Sequence, residues 1–160
     1  MVKKEFLIFC FFVIKVSVYA QNIKQSNYNW KDGFYELHDL TQRNPVLIIY
    51  DKAEKKYFEI DSLPAVALSK TDSVRLVYIK ADSFRIAINI RFNETGKNQF
   101  SKLTRNTIGH RIGFVIDNEL IFAPTILDQI DDGFATIFSN DIQTEILYNK
   151  IKEKILIKNN

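Results

Sequence analysis

Residues 92–137 read FNETGKNQFSKLTRNTIGHRIGFVIDNELIFAPTILDQIDDGFATI, and their pattern decides the fold. Asn93, Glu94, Thr95 and Gly96 break an apolar run. Asn93 or Thr95 is suited to cap a helix, and Glu94 sits well at its positive end. Phe100, Leu103, Thr104, Thr107 and Ile108 follow at steps of mostly three and four, the inner stripe of an amphipathic helix. Lys97, Lys102 and Arg105 lie off the stripe. Gly109 stands where a helix needs a left-handed residue to stop. Residues 111–117 are then apolar on both alternations, Ile112, Phe114 and Ile116 against Gly113 and Val115. That pattern predicts a central strand covered on both faces. Asp117 and Asn118 form a two-residue turn suited to positive φ. Residues 119–123 return as the hairpin partner, and Pro124 ends regular pairing or marks an edge. Asp131, Asp132 and Gly133 make another turn before a short last strand at 134–138.

Upstream, Phe84, Ile86, Ile88, Ile90 and Phe92 alternate with Arg85, Ala87, Asn89 and Arg91. Period two places the five large side chains on one face of a strand. Downstream, Ser139 or Asp141 is placed to cap a C-terminal helix. Its expected apolar stripe is Ile142, Ile146, Leu147, Ile151 and Ile155, with Lys150, Lys152 and Lys154 near the negative end.

The order of these signals carries a resemblance. A helix ends Thr-x-x-x-Ile-Gly. A His and an Arg lead into an apolar strand, then Asp and a turn residue. A second apolar strand runs into Ala-Pro, and Ile-x-x-Gly-x-Ala-x-Ile closes the series. This resembles the head subdomain of the large periplasmic domain of SecD and SecDF, the protein-export subunits. The matching residues are Phe100, Leu103, Thr104, Ile108, Gly109, Arg111, Val115, Asp117, Ala123, Pro124, Ile126, Ile130, Gly133, Ala135 and Ile137. The family usually has Lys at His110, Gly at Asp132, and a glycine where Phe138 and Ser139 stand here. The resemblance covers residues 82–156. It implies a shared scaffold, and a head thought to contact polypeptide emerging on the far side of the membrane. SecD and SecDF also carry several transmembrane helices. None is expected here beyond residue 20, so translocation activity does not carry over with the resemblance.

Residues 1–20 read as a secretory signal. Lys3 and Lys4 precede a nine-residue apolar core at 6–14, and Val18, Tyr19 and Ala20 offer a cleavage site before Gln21. A span of the bilayer needs about 20 apolar residues. Cys10 follows Phe9, too large for a lipoprotein box, and it leaves with the signal. The exported chain therefore has no thiol for a disulfide or a metal. Removing Lys3, Lys4, Lys15 and Glu5 from 22 basic and 19 acidic residues leaves 19 against 18. That near-neutral balance, with no basic patch, argues against nucleic acid.

Residues 21–32 are expected as a flexible lead and 33–160 as one domain, whose 33–80 is a β-rich lead-in. Strands are expected at 33–37, 46–50, 56–60 and 74–79. Turns are expected at 39–44 and 51–55, and a break at 61–64. Residues 65–70 fit an extended segment or a short helical turn. The expected class is α+β: a small mixed or antiparallel sheet with two packed helices, ferredoxin-like in the C-terminal half.

Catalysis has no constellation to rest on. His38 and His110 lack spaced partners, and neither His-Glu-x-x-His nor Gly-x-Ser-x-Gly occurs. Asp128, Asp131 and Asp132 lack the alternating ligands of a calcium loop and read as a solvated turn. Tyr28, Trp30, Phe34 and Tyr35 read as core-edge residues, with a stacking surface as the alternative. The chain is thus read as an exported, periplasmic or secreted, non-catalytic module with no cofactor or metal. The expected partner is protein or unfolded polypeptide, bound through an exposed sheet edge near Pro124. The alternative is a structural or inhibitory partner of one envelope protein.

Overall fold

The structure is a computed structural model that describes residues 28–41, 47–80, 84–139 and 143–158. The signal at 1–20 and the first part of the lead, to residue 27, lie outside the described residues. Nine strands and two helices follow in order among the described residues. They are β1 Gly33–Asp39, β2 Ile48–Asp51, β3 Lys56–Ile60, β4 Val66–Ala67, β5 Thr71–Lys80, β6 Phe84–Phe92, α1 Glu94–Asn106, β7 Arg111–Ile116, β8 Glu119–Phe122, β9 Phe134–Ser139 and α2 Gln143–Lys158. Residues 65–70 take both forms left open by the sequence: β4, then a 3-10 turn at Leu68–Lys70.

The strands form two antiparallel sheets. One runs β2-β3-β1-β7-β8, with β4 also on β1; the other is β5-β6-β9. The first sheet curls until its edges meet, β2 lying against β8. Lys52 and Glu119 bridge that seam at 2.9 Å. Inside the roll lie Trp30, Tyr35, Leu37, Ile49, Phe58, Ile60, Val115 and Leu120. A second core lies between the roll, the helices and the three-stranded sheet. It holds Phe34, Ile112, Phe114 and Ile116 from the roll's outer surface. Facing them are Phe100 and Leu103 from α1, Ile151 and Ile155 from α2, and Ile88, Ile90 and Ile137 from the other sheet.

The two-sided pattern of residues 111–117 is explained by this arrangement. Alternate β7 side chains serve different cores, so both faces are buried. The ferredoxin-like expectation needs all four C-terminal strands in one sheet. Instead β7 and β8 pair with β1, and β6 and β9 pair elsewhere. The physical reason is that β7 is apolar on both faces, and pairing with β1 places one face in the roll's interior beside Tyr35 and Leu37 and the other in the second core beside Phe34.

Helix α1 starts as the sequence suggests. Asn93 is the cap, its Oδ1 accepting from Gly96 N at 2.9 Å. Phe100, Leu103, Thr104 and Thr107 are buried, but Ile108 is 47% exposed. The helix has ended by then, so Ile108 falls off the stripe and bridges to Ile126 instead. In α2 the stripe is rotated from the expected one. Thr144 and Ile151 are buried, with Leu147 and Tyr148 packed beside them, while Ile146 is 64% exposed. Leu147 and Tyr148 are four and three residues before Ile151, so Ile146 must face away. Ile142 lies outside the described residues.

Gly109 has φ +80°, and a Cβ built there would meet nothing within 4 Å. Any substitution cost is therefore backbone strain alone, with no steric clash. Gly109→Ala should cost about 1 kcal/mol, and Gly109→Asn clearly less, since Asn tolerates this region. Chemical denaturation midpoints compare the two; equal losses would contradict a φ-based origin.

Candidate functional site

The motif residues converge on one joint between α1, β7 and the loop 123–133. Thr104 is buried, donates to Phe100 O at 3.0 Å and accepts from Ile130 N at 3.0 Å. Gly109 N donates to Ile126 O at 2.8 Å, Ile126 N to His110 O at 2.9 Å, and Ile112 N to Pro124 O at 3.2 Å. The chain after β8 is thereby laced to the chain after α1. Arg111 Nη1 donates to Ala123 O at 2.9 Å and pairs with Glu54, its guanidinium 5.6 Å from the Phe58 ring centre. Gly133 has φ +85° at the turn into β9, and Ala135 is buried on that strand. These are scaffold roles: each residue closes a backbone bond, turns the chain or fills a core.

Asp117 and Asn118 both take positive φ, +49° and +66°, in the β7–β8 turn. Their side chains then reach out of the hairpin. Asn118 Oδ1 accepts from Trp30 N at 2.7 Å. Asp117 pairs with Lys150 at 2.6 Å and with Lys154, which also holds Asp32 at 2.6 Å. Hydrogen bonds from Lys150 and Lys154 hold the Asp117 carboxyl below its usual range. Desolvation pulls the Lys154 ammonium down, but its bonds to Asp117 and Asp32 outweigh that and leave it raised. This network ties α2 to the roll beside a cleft of about 590 Å³ that Trp30, Asp32, Leu68 and Asn118 help to line. It also fixes residues 28–32, which the sequence assigns to the lead. Trp30 is only 4% exposed and meets Tyr28 edge-on at 5.6 Å.

The aromatic cluster is dispersed rather than presented. Phe34 and Tyr35 point to opposite cores, and burial pushes the Tyr35 phenol upward. His38 and His110 are exposed. Asp128 and Asp132 accept from the nearby backbone N–H groups of Gln129 and Phe134. Among the described residues no three His, Cys, Asp or Glu side chains gather as metal ligands.

The accessible surface lies elsewhere. Pro124 is engaged through its carbonyl, so the region beside it is not a free edge. Among the described residues, β5 and β9 are the outer strands of the three-stranded sheet, with no described strand paired on their outer sides. On the outer face of that sheet Ala87 lies between Val77 and Phe138, and Asn89 between Arg75 and Thr136. Val77 is 40% exposed, Phe134 36% and Phe138 61%. Sequence reasoning passed over this strip, although a signal was present: Phe134 and Phe138 share one alternation of β9 while Ala135 and Ile137 take the other.

Comparison with known proteins gives one consistent match. The family described as SecDF, P1 head subdomain, matches residues 49–146. The protein translocase subunit SecD of Petrotoga mobilis is 31% identical over 85 residues, which is 52% of this chain and 18% of that protein. The SecD subunit of Rickettsia conorii is 43% identical over 49 residues, 31% of this chain and 10% of that protein. The chain thus spans less than a fifth of the curated relatives it matches. A crystal structure of SecDF in a super-membrane-facing form superposes with TM-score 0.54 at 22% identity, covering 74% of this chain and 17% of that one. A structure of SecDF, described as a membrane component that enhances protein export, gives TM-score 0.52 at 18% identity, covering 76% and 61%. At these identities the likeness is one of fold. Among the described residues no helix is long and apolar enough to cross a membrane.

Proposed function

The chain belongs to the SecDF P1 head subdomain family, and from that premise we propose that it is an exported, non-catalytic module that binds extended polypeptide in the cell envelope. The observation that supports this most is the β9 edge, which no described strand covers, flanked by the exposed side chains of Phe134 and Phe138. An extended chain adds to such an edge through backbone hydrogen bonds, and apolar side chains on the face supply the rest. Backbone recognition reads little sequence, which suits a binder of many unfolded chains. The family relatives are translocase subunits, and one is described as enhancing protein export. That setting is consistent with periplasmic or secreted placement and with an unfolded partner. The motif residues, by contrast, are spent on the scaffold.

The test is a titration of a permanently unfolded protein against the labelled chain. Weak, saturable binding is expected. It should change little with salt, because the near-neutral charge gives weak long-range steering. A chelator and His110→Ala should leave it unchanged. No binding up to the solubility limit would remove this reading and leave a single specific envelope partner. Loss of binding with the chelator would point to a metal site instead.

A further inference from the structure

We infer that two copies of this chain pair antiparallel through β9, about a two-fold axis at Thr136, forming one continuous six-stranded sheet. The inference does not depend on polypeptide binding, although both use the same edge.

Hydrogen-bond direction is the first ground. Phe92 N donates to Gly133 O at 3.0 Å, which makes 92 and 133 a hydrogen-bonded pair. Such pairs alternate with open ones in an antiparallel ladder. In the observed register Ala135 and Ile137 are then bonded to Ile90 and Ile88. Phe134, Thr136 and Phe138 stand opposite Arg91, Asn89 and Ala87 in open pairs. Their N–H and C=O groups therefore point away from β6, out of the sheet edge. Of these groups Phe134 N has a partner, Asp132 Oδ1 at 2.9 Å.

Side-chain spacing is the second ground. With the axis at Thr136, each Phe134 lies opposite Phe138 of the second copy, and Thr136 lies opposite itself. All three residues with outward groups then fall at hydrogen-bonding positions, with Phe134 N leaving Asp132 Oδ1 to donate to Phe138 O of the second copy. Two aromatic pairs form on the outer face, the kind of cross-strand contact that stabilises sheets. The edge is thus complementary to itself, as a two-fold interface requires.

The other free edge supplies the contrast. β5 has an irregular register at Thr71 and Ser73 and carries the exposed charges Asp72 and Arg75. These features discourage edge pairing. β9, reading FATIFS, has no charge, proline or bulge.

One short strand buries little area, so the dimer should be weak and depend on concentration. Sedimentation velocity over a concentration series should show the mass rising from 18.7 kDa toward double for the full chain. Hydrogen exchange at the Thr136 and Phe138 amides should slow as concentration rises. Thr136→Lys places like charges face to face and should stay monomeric at every concentration, with unchanged circular dichroism. Thr136→Glu should do the same, and mixing the two variants should restore a dimer. A wild-type chain monomeric throughout, or a Thr136→Lys chain that dimerises equally, would overturn the proposal. A monomer that still binds unfolded polypeptide would remove self-pairing alone. A dimer that binds none would remove the polypeptide reading alone.

Discussion

Phe34→Ala is expected to cost about 4 kcal/mol of folding stability, the usual range for a fully buried phenylalanine. Phe34 is 1% exposed. Its ring centre lies 4.8 Å from that of Phe114, 5.2 Å from Phe100 and 5.6 Å from Phe92. Those three rings come from β7, α1 and β6, so one side chain joins the roll to the helix and to the second sheet. The truncation leaves a cavity bounded by rings on three different elements, which cannot collapse together to fill it. A loss of this size is a large share of the roughly 5–15 kcal/mol that holds an ordinary domain. Urea unfolding of the variant measures it. Tyr28→Ala is the control: Tyr28 is 37% exposed, and its loss should change stability by under about 1 kcal/mol. Equal effects of the two substitutions would mean that Phe34 is not the joint between the cores.

Gly33→Ala should cost about 3 kcal/mol, the upper end of the overpacking range, through a single added methyl group. A Cβ at Gly33 would lie 2.4 Å from Val66 O, 2.9 Å from Pro64 Cβ and 3.0 Å from Ala67 Cα. The first and third are backbone atoms, so no side-chain rotation relieves the contact. Gly33 pairs with Ala67 of β4 on one side and Val115 of β7 on the other. Moving the 64–67 segment away would break that pairing and disturb Leu68 N, which donates to Asp32 O at 2.8 Å. The φ of +157°, which L side chains rarely adopt, adds backbone strain to the close approach. Thermal unfolding followed by circular dichroism reads the effect. A melting temperature within a degree of the parent would show that the segment yields easily.

Local elements were legible wherever a residue's own neighbours decide its state. The β6 alternation, the Asn93 cap, the positive φ at Asp117 and Asn118 and the β3 hairpin partner were all readable in this way. Misjudged positions lie where a helix face or a strand's partner had to be chosen. Ile108 and Ile146 fit an apolar stripe by spacing, yet helix length and the angle of packing send them to solvent. Of the candidate site, the motif positions were legible as residues, but their shared joint was not. Lacing residues 108–112 to residues 123–126 is a tertiary event with no local signature.

The sequence by itself determined the α+β class and the SecD-head resemblance, and it contains neither His-Glu-x-x-His nor Gly-x-Ser-x-Gly. The class rests on turn chemistry and periodicity, which act over a few residues, and the resemblance on the order and spacing of the motif residues. Tertiary structure alone decided that adjacent Phe34 and Tyr35 enter different cores, that β7 leaves the sheet of β6 and β9, and that β9 is left with a free edge. The reason is that strand pairing is settled by burial of both faces at once. β7 is apolar on both alternations, and beside β1 its two faces enter the two cores, with Tyr35 and Leu37 on one side and Phe34 on the other. With β7 held there, β6 retains β9 on one side and β5 on the other, and no described strand remains to cover the outer side of β9.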